Sequence, residues 1–176
     1  MLKIFTTQLS SYFKRIGEKE EFNLEDGARI LAQAAIGEGN IYIYGVNEMQ
    51  AVMYEATQSA EPLAHAKSLE LNDISGLTSV DRVLIVTRFS TDEKAVQVAH
   101  TLLEQGIPFV SIGAIPKEVQ GDSIHELADV HINTYLLQPI IPDDSGERFG
   151  FPALMTTLYA YYGLSFTLKE IMDENE

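Results

Sequence analysis

Between positions 87 and 91 the chain reads Thr87-Arg88-Phe89-Ser90-Thr91, three hydroxyls and one guanidinium just before a helical pattern. Hydroxyl donors, an arginine and the free N–H groups of a helix N-terminus are the parts that hold a phosphate. The plainer account of the same residues is a helix cap at Ser90 and a surface charge at Arg88. Glu48 and Glu55 lie two helical turns apart. Paired carboxylates support general acid–base chemistry, but a solvated helix face is the simpler and preferred account of them. The histidines His65, His100, His125 and His131 match no metal-ligand spacing, and cysteine is absent. Thiol nucleophiles, disulfides and thiolate metal sites are therefore excluded, and no metal or cofactor is expected. No G-x-S-x-G, P-loop or G-x-G-x-x-G occurs, so a serine hydrolase, a P-loop NTPase and an ordinary dinucleotide dehydrogenase lack support.

The elements around the Thr87–Thr91 turn decide where it sits. Val83-Leu84-Ile85-Val86 is a short apolar run of the kind buried on both faces of a sheet. Ala95, Val98, Ala99, Leu102 and Leu103 form a helical stripe; Ser90 and Glu93 have capping-box spacing, and Gly106 stands where a helix ends. Ile107 to Ile112 reads as the next strand. A strand–helix–strand unit this short is expected to be parallel, with a right-handed crossover. The turn then falls at the carboxyl edge of the sheet, where open parallel sheets bind ligands.

The remaining chain is read in the same way. Leu2, Phe5, Leu9, Tyr12, Phe13 and Ile16 make a first helix ended by Gly17 and the charged Glu18–Glu21 run. Asn23 is placed to cap a second helix carrying Leu24, Ala28, Leu31, Ala34 and Ala35. Asn40 to Tyr44 reads as the first strand, with Gly45 as its tight exit, and a third helix runs from Met49 to about Ala60. Lys67 to Leu71 reads as a short strand and Ala128 to Ile132 as the last one. Tyr135 to Phe151 is expected to be a long loop, Pro152 to open the final helix, and Asp173 to Glu176 to fray.

The length of 176 residues suits one domain, 1–176, divided into N-terminal helices (1–38), an α/β core (39–134) and a loop with a C-terminal helix (135–176). A net charge of −14 without a Lys/Arg cluster argues against nucleic acid. No apolar run approaches the ~20 residues that span a bilayer, and the first residues lack a signal-peptide core, so the cytoplasm is the expected location and no membrane partner is expected. The wide apolar stripe of the first helix and the apolar Tyr135–Ile141 segment exceed what one core covers, which predicts a homodimer or homotetramer.

The order of elements resembles the sugar isomerase (SIS) domain over almost the whole chain. The resemblance rests on Tyr42-Ile43-Tyr44-Gly45-Val46-Asn47, Leu84-Ile85-Val86-Thr87-Arg88-Phe89-Ser90-Thr91, Glu104-Gln105-Gly106-Ile107-Pro108-Phe109-Val110 and Leu127-Ala128-Asp129-Val130-His131-Ile132. It is most similar to the phosphoheptose isomerases and to an uncharacterised bacterial SIS-related family. The resemblance implies a three-layer α/β/α sandwich around a mostly parallel sheet of about five strands, with flavodoxin- or Rossmann-like topology. It implies a phosphorylated sugar as partner, a phosphate held by Thr87, Arg88, Ser90 and Thr91, and a sugar pocket shaped by Gly45, Asn47 and Glu48.

Departures from the family pattern bear on activity. Gly45-Val46-Asn47-Glu48-Met49 stands where the family has Gly-Asn-Gly-Gly-Ser, and Arg88 and Phe89 interrupt the Ser/Thr loop. Counting from Gly45 puts Gln58 at the position of the family's basic glutamate, and an amide takes no proton at neutral pH. Pro152 to Leu164 contains no histidine. Glu55 or Glu61 would have to serve as base in an aldose–ketose isomerase. The alternatives are a non-catalytic sugar-phosphate-binding regulatory module and an interaction protein that needs no ligand.

Overall fold

The computed structural model describes residues 1–175. Two helices, α1 (Leu2–Lys19) and α2 (Glu21–Ile36), precede β1 (Ile41–Gly45). A 3₁₀ turn (Asn47–Met49) leads into α3 (Gln50–Gln58), then β2 (Ala66–Ser68) and a second 3₁₀ segment (Leu71–Gly76). The central unit is β3 (Arg82–Phe89), α4 (Glu93–Gln105) and β4 (Phe109–Ala114). It is followed by α5 (Ile124–Leu127), β5 (Val130–Asn133), a small antiparallel pair β6 (Ile141–Pro142) and β7 (Arg148–Phe149), and α6 (Ala153–Asp173). Asp173 closes α6, whereas Glu176, part of the tail expected to fray, lies outside the described residues.

All five strands of the central sheet are parallel, in the order β2-β1-β3-β4-β5. The direction of strand order reverses between β1 and β3, the switch point at which doubly wound sheets open a crevice. Strand residues alternate between two cores. Leu84, Val86, Val110 and Ile112 face α1, α2, α3 and α6; Val83, Ile85 and Phe109 face α4, α5 and the second 3₁₀ segment. Burial on both faces explains why these strands read as continuous apolar runs. Gly106 takes φ +68 at the end of α4, the left-handed stop its sequence position predicts.

Several boundaries differ from expectation. Gly17 does not end α1: it sits where a Cβ would lie 3.3 Å from the Tyr159 hydroxyl, so the absent side chain admits α6. Asn23 lies inside α2 rather than capping it, and its amide donates to Glu20 Oε2 at 2.8 Å. The third helix is shorter than Met49–Ala60 and begins as 3₁₀, and only Ala66–Ser68 of the expected second strand pairs with β1. The last strand starts two residues later and ends one residue later than expected, at Val130–Asn133. The expected loop 135–151 contains the β6–β7 hairpin, its turn tied by Asp143 Oδ1 accepting from the N–H groups of Ser145 and Glu147. No helix among the described residues is long and apolar enough to cross a membrane.

Candidate functional site at the carboxyl edge of the sheet

The Thr87–Thr91 segment lies at the carboxyl edge, and its first half belongs to β3. Val86 pairs with Ile112 but Phe89 with Ala114, so Thr87 and Arg88 together oppose Gly113 in a β-bulge. Gly113 makes the bulge possible: a Cβ there would meet Thr87 Oγ1 at 2.5 Å. Thr87 is fully buried, and its hydroxyl has no hydrogen-bond partner among the described residues.

The bulge turns Arg88 outward onto Glu48. Arg88 Nε donates to Glu48 Oε1 at 2.7 Å and Nη2 to Oε2 at 2.8 Å, a two-pronged pair across the switch point. Glu48 reaches this position because Asn47 adopts φ +53 and Gly45 lets the 3₁₀ turn fold back, since a Cβ at Gly45 would meet Met49 O at 2.3 Å. The bond from Arg88 holds the Glu48 carboxyl below the usual carboxylate range, and the same bond raises the guanidinium. Arg88 is thus not a free cation, although the sequence places it among the residues expected to hold a phosphate.

Ser90 is likewise engaged, and the capping-box expectation is corrected. The N-cap of α4 is Asp92, whose Oδ1 accepts from Lys94 N at 3.0 Å and Ala95 N at 3.3 Å. Ser90 is fully buried. Its Oγ lies 2.8 Å from the Ser123 hydroxyl, which also approaches His125 Nδ1 at 2.6 Å. Nearby, His131 Nε2 donates to the Gly113 carbonyl at 3.0 Å, so Nδ1 is the acceptor for the Ser111 hydroxyl at 2.7 Å. Burial keeps this imidazole neutral, its pKa lowered from 6.5 to about 3.

Thr91, the one remaining member of the expected phosphate set, lines a crevice of about 620 Å³. Its walls are Phe89 at the end of β3 and Thr91 just after it, Pro116 and Lys117 after β4, Tyr135 and Gln138 after β5, and Tyr12 and Arg15 from α1. Arg15 stands over the rings of Tyr12 (5.8 Å) and Tyr135 (5.7 Å). Neither Arg15 nor Lys117 has a carboxylate partner among the described residues. Tyr135 is held in the left-handed region at φ +62. Its hydroxyl donates to the buried Glu20 carboxylate, its N–H to Asn133 Oδ1 at 2.9 Å, and Asn133 N donates to Glu20 Oε2 at 3.2 Å. Burial first, and the Glu20 bond second, raise the Tyr135 phenol.

The other expected residues are dispersed. Gly45 and Asn47 line a smaller recess with Glu70 and Lys94. Glu55 and Glu61 share a separate cavity of about 520 Å³ with Tyr161, Tyr162, Ser165 and Lys169 of α6. The Tyr162 hydroxyl donates to Glu55, which raises its pKa. Since α3 runs back from the end of β1, Glu61 lies beside the start of β2, at the amino edge. Strands rising about 3.3 Å per residue separate that edge from Thr91. Arg15, Lys117, Tyr135 and Glu20 carry no motif; only the exposed cation on an apolar helix stripe at Arg15 offered a signal in the sequence.

Five parallel strands in this order, helices on both faces and a crevice at the carboxyl edge define an SIS-like α/β sandwich. The chain belongs to the family described as a domain of unknown function (DUF2529), which matches residues 1–172. It is 47% identical over 174 residues to the Bacillus subtilis (strain 168) protein YwjG, described as uncharacterized, with 99% of each chain covered. Its fold is similar to that of a candidate phosphosugar isomerase involved in capsule formation from Bacteroides fragilis NCTC 9343, with TM-score 0.72, 15% identity and coverage of 97% and 90%. It is also similar to the Vibrio vulnificus NanR protein complexed with ManNAc-6P, with TM-score 0.64, 11% identity and coverage of 98% of this chain and 62% of that one. A third likeness is the sugar isomerase domain of an RpiR transcription factor from Sphaerobacter thermophilus, with TM-score 0.64, 10% identity and coverage of 98% and 96%. At these identities the likeness is one of fold.

Proposed function

We propose that this protein binds a phosphorylated sugar in the crevice over β3, β4 and β5 and reports its presence without isomerising it. The observation that carries the reading is that Arg15 and Lys117, both without a carboxylate partner among the described residues, line the same crevice as Thr91 at the carboxyl edge. In a chain of net charge −14, two such cations are the local feature an anion needs against an unfavourable global field. The tyrosines and Gln138 supply stacking surface and hydrogen bonds for a polyol. Glu55 and Glu61 line a different cavity, which removes the base from a ligand held at Thr91. The NanR neighbour, in complex with ManNAc-6P, lends the ligand class support.

Thermal unfolding in the presence of sugar 6-phosphates and their parent sugars tests this. The phosphorylated sugars raise the Tm, and the parent sugars do not, because a ligand that binds only the native state stabilises it by about 2.7 kcal/mol at one hundred times its Kd. The Arg15→Ala/Lys117→Ala variant loses the shift. An unchanged shift in that variant refutes the crevice as the site.

A second reading, a phosphosugar isomerase of the phosphoheptose type, is favoured by the Glu55–Tyr162 pair. A carboxylate and a phenol in contact, with Lys169 in the same cavity, are an acid–base pair beside a cation. Turnover of sedoheptulose 7-phosphate, lost in Glu55→Gln, would establish it; losing such a group costs about 10²–10⁴-fold. Self-association through the α1–α6 face, where Leu2, Tyr159 and Phe166 are exposed, forms part of either reading and is checked by light scattering.

A further inference from the structure

At the switch point two carboxylates of the chain occupy the groups that would otherwise take an anion. Glu48 caps the guanidinium of Arg88 with both oxygens, and Asp92 takes the first free N–H groups of α4. The Glu48 contact is built rather than incidental. It needs a bulge in β3 to aim Arg88, a glycine at 113 to admit the bulge, a left-handed Asn47 and a glycine at 45 to bring Glu48 back over the strand ends. Asparagine is among the few non-glycine residues that enter that backbone region readily, so the residue at 47 suits the turn that brings Glu48 back. Four local departures thus converge on one ion pair 40 residues apart in sequence. Neither side chain is buried: Arg88 is 44% and Glu48 34% exposed. Water and solute reach the pair, and an exposed pair is weak enough to exchange.

We infer that Arg88 is a masked anion-binding residue and that Glu48 is its built-in competitor, displaced when a phosphate monoester enters the switch point. A phosphate presents two oxygens to the guanidinium with the same fork geometry as the carboxylate. Glu48 therefore lowers the affinity of Arg88 for phosphate by the fraction of molecules in which the pair is open. Asp92, which also faces Arg88 electrostatically, adds to the selection against weak anions. The inference concerns Arg88 and is independent of the crevice reading, which concerns Arg15 and Lys117.

Calorimetric titration of inorganic phosphate into the full chain at low salt tests it. In the Arg15→Ala/Lys117→Ala background, Glu48→Gln raises phosphate affinity roughly fivefold, the ratio equivalent to an exposed pair of about 1 kcal/mol. Adding Arg88→Gln abolishes the gain. A Glu48→Gln variant with unchanged affinity, or a gain that survives Arg88→Gln, overturns the inference. Glu48→Asp, whose shorter side chain no longer spans both guanidinium nitrogens, gives a smaller gain and serves if Glu48→Gln fails to fold. Equal phosphate binding by the unmodified chain and the Arg15/Lys117 variant would refute the crevice reading and leave the Glu48 comparison intact.

Discussion

The turn after β3 and the crevice beside it share an edge of the sheet and a residue run, yet they treat charge in opposite ways. In the turn, Arg88 and the α4 N-terminus are satisfied by Glu48 and Asp92. In the crevice, Arg15 and Lys117 have no such partners among the described residues. A cation supplied by a motif-like turn is bound internally, and cations supplied by a helix and a plain loop are available. Residue type at a topologically favoured place is therefore a weaker guide to a ligand site than whether the chain has already used that residue.

Substitutions in and around the turn test this contrast. The bulge is the most sensitive place. Gly113→Ala drives a Cβ into Thr87 Oγ1 and should cost about 2–3 kcal/mol in urea unfolding. It should also pull Arg88 off Glu48 while leaving Arg15 and Lys117 in place.

Acid separates His131 from Glu48 next. His131, neutral between Ser111 and the Gly113 carbonyl, has a folded pKa near 3 against 6.5 unperturbed. The unfolded chain binds its proton first, so this stability is complete above about pH 6.5 and declines progressively toward pH 3, by a few kcal/mol. Glu48, held below 4.5, contributes stability that is complete above that value and is lost only as pH falls through its depressed folded pKa. The His131 contribution should therefore be lost at a higher pH than that of Glu48. His131→Gln should flatten the upper limb of the stability–pH curve, and a curve that stays steep there would contradict the assignment.

Smaller effects follow. Asp92→Ala removes the α4 cap and should cost about 1 kcal/mol, measured by thermal unfolding with loss of helical circular dichroism. Thr87→Val replaces a buried hydroxyl that has no partner among the described residues by a methyl group. It should be neutral or stabilise by up to about 1 kcal/mol, because the desolvated hydroxyl gives nothing back. A loss of stability there would mean that the hydroxyl is bonded in solution.

The fold was largely legible because its signals are local. Continuous apolar runs at β1, β3 and β4, the stripe from Ala95 to Leu102 and the left-handed Gly106 each announce themselves within a few residues. The site was legible only in part. Ser90 has capping-box spacing with Glu93, but the cap fell to Asp92 because Ser90's N–H pairs with Ala114 O and its hydroxyl with Ser123, 33 residues on. Arg88 looks free in sequence because its partner lies 40 residues earlier. Glu20 sits in a charged run that reads as solvated, yet it is 4% exposed, anchored by groups more than a hundred residues away. Side-chain pairings across such separations leave no local periodicity to read.

That anchoring of Glu20 has a consequence for the order in which the protein acquires its crevice. The bonds from Asn133 and Tyr135 to Glu20 close loops of 113 and 115 residues. Closing loops of that size is entropically costly, and long-range contacts are generally slow to form. During synthesis, the α1 wall bearing Tyr12 and Arg15 must wait for nearly the whole chain before Tyr135 arrives to complete it. The crevice is thus a late product of folding, and a chain interrupted before residue 135 would lack both its Tyr135 wall and the α6 residues that cover one face of the sheet.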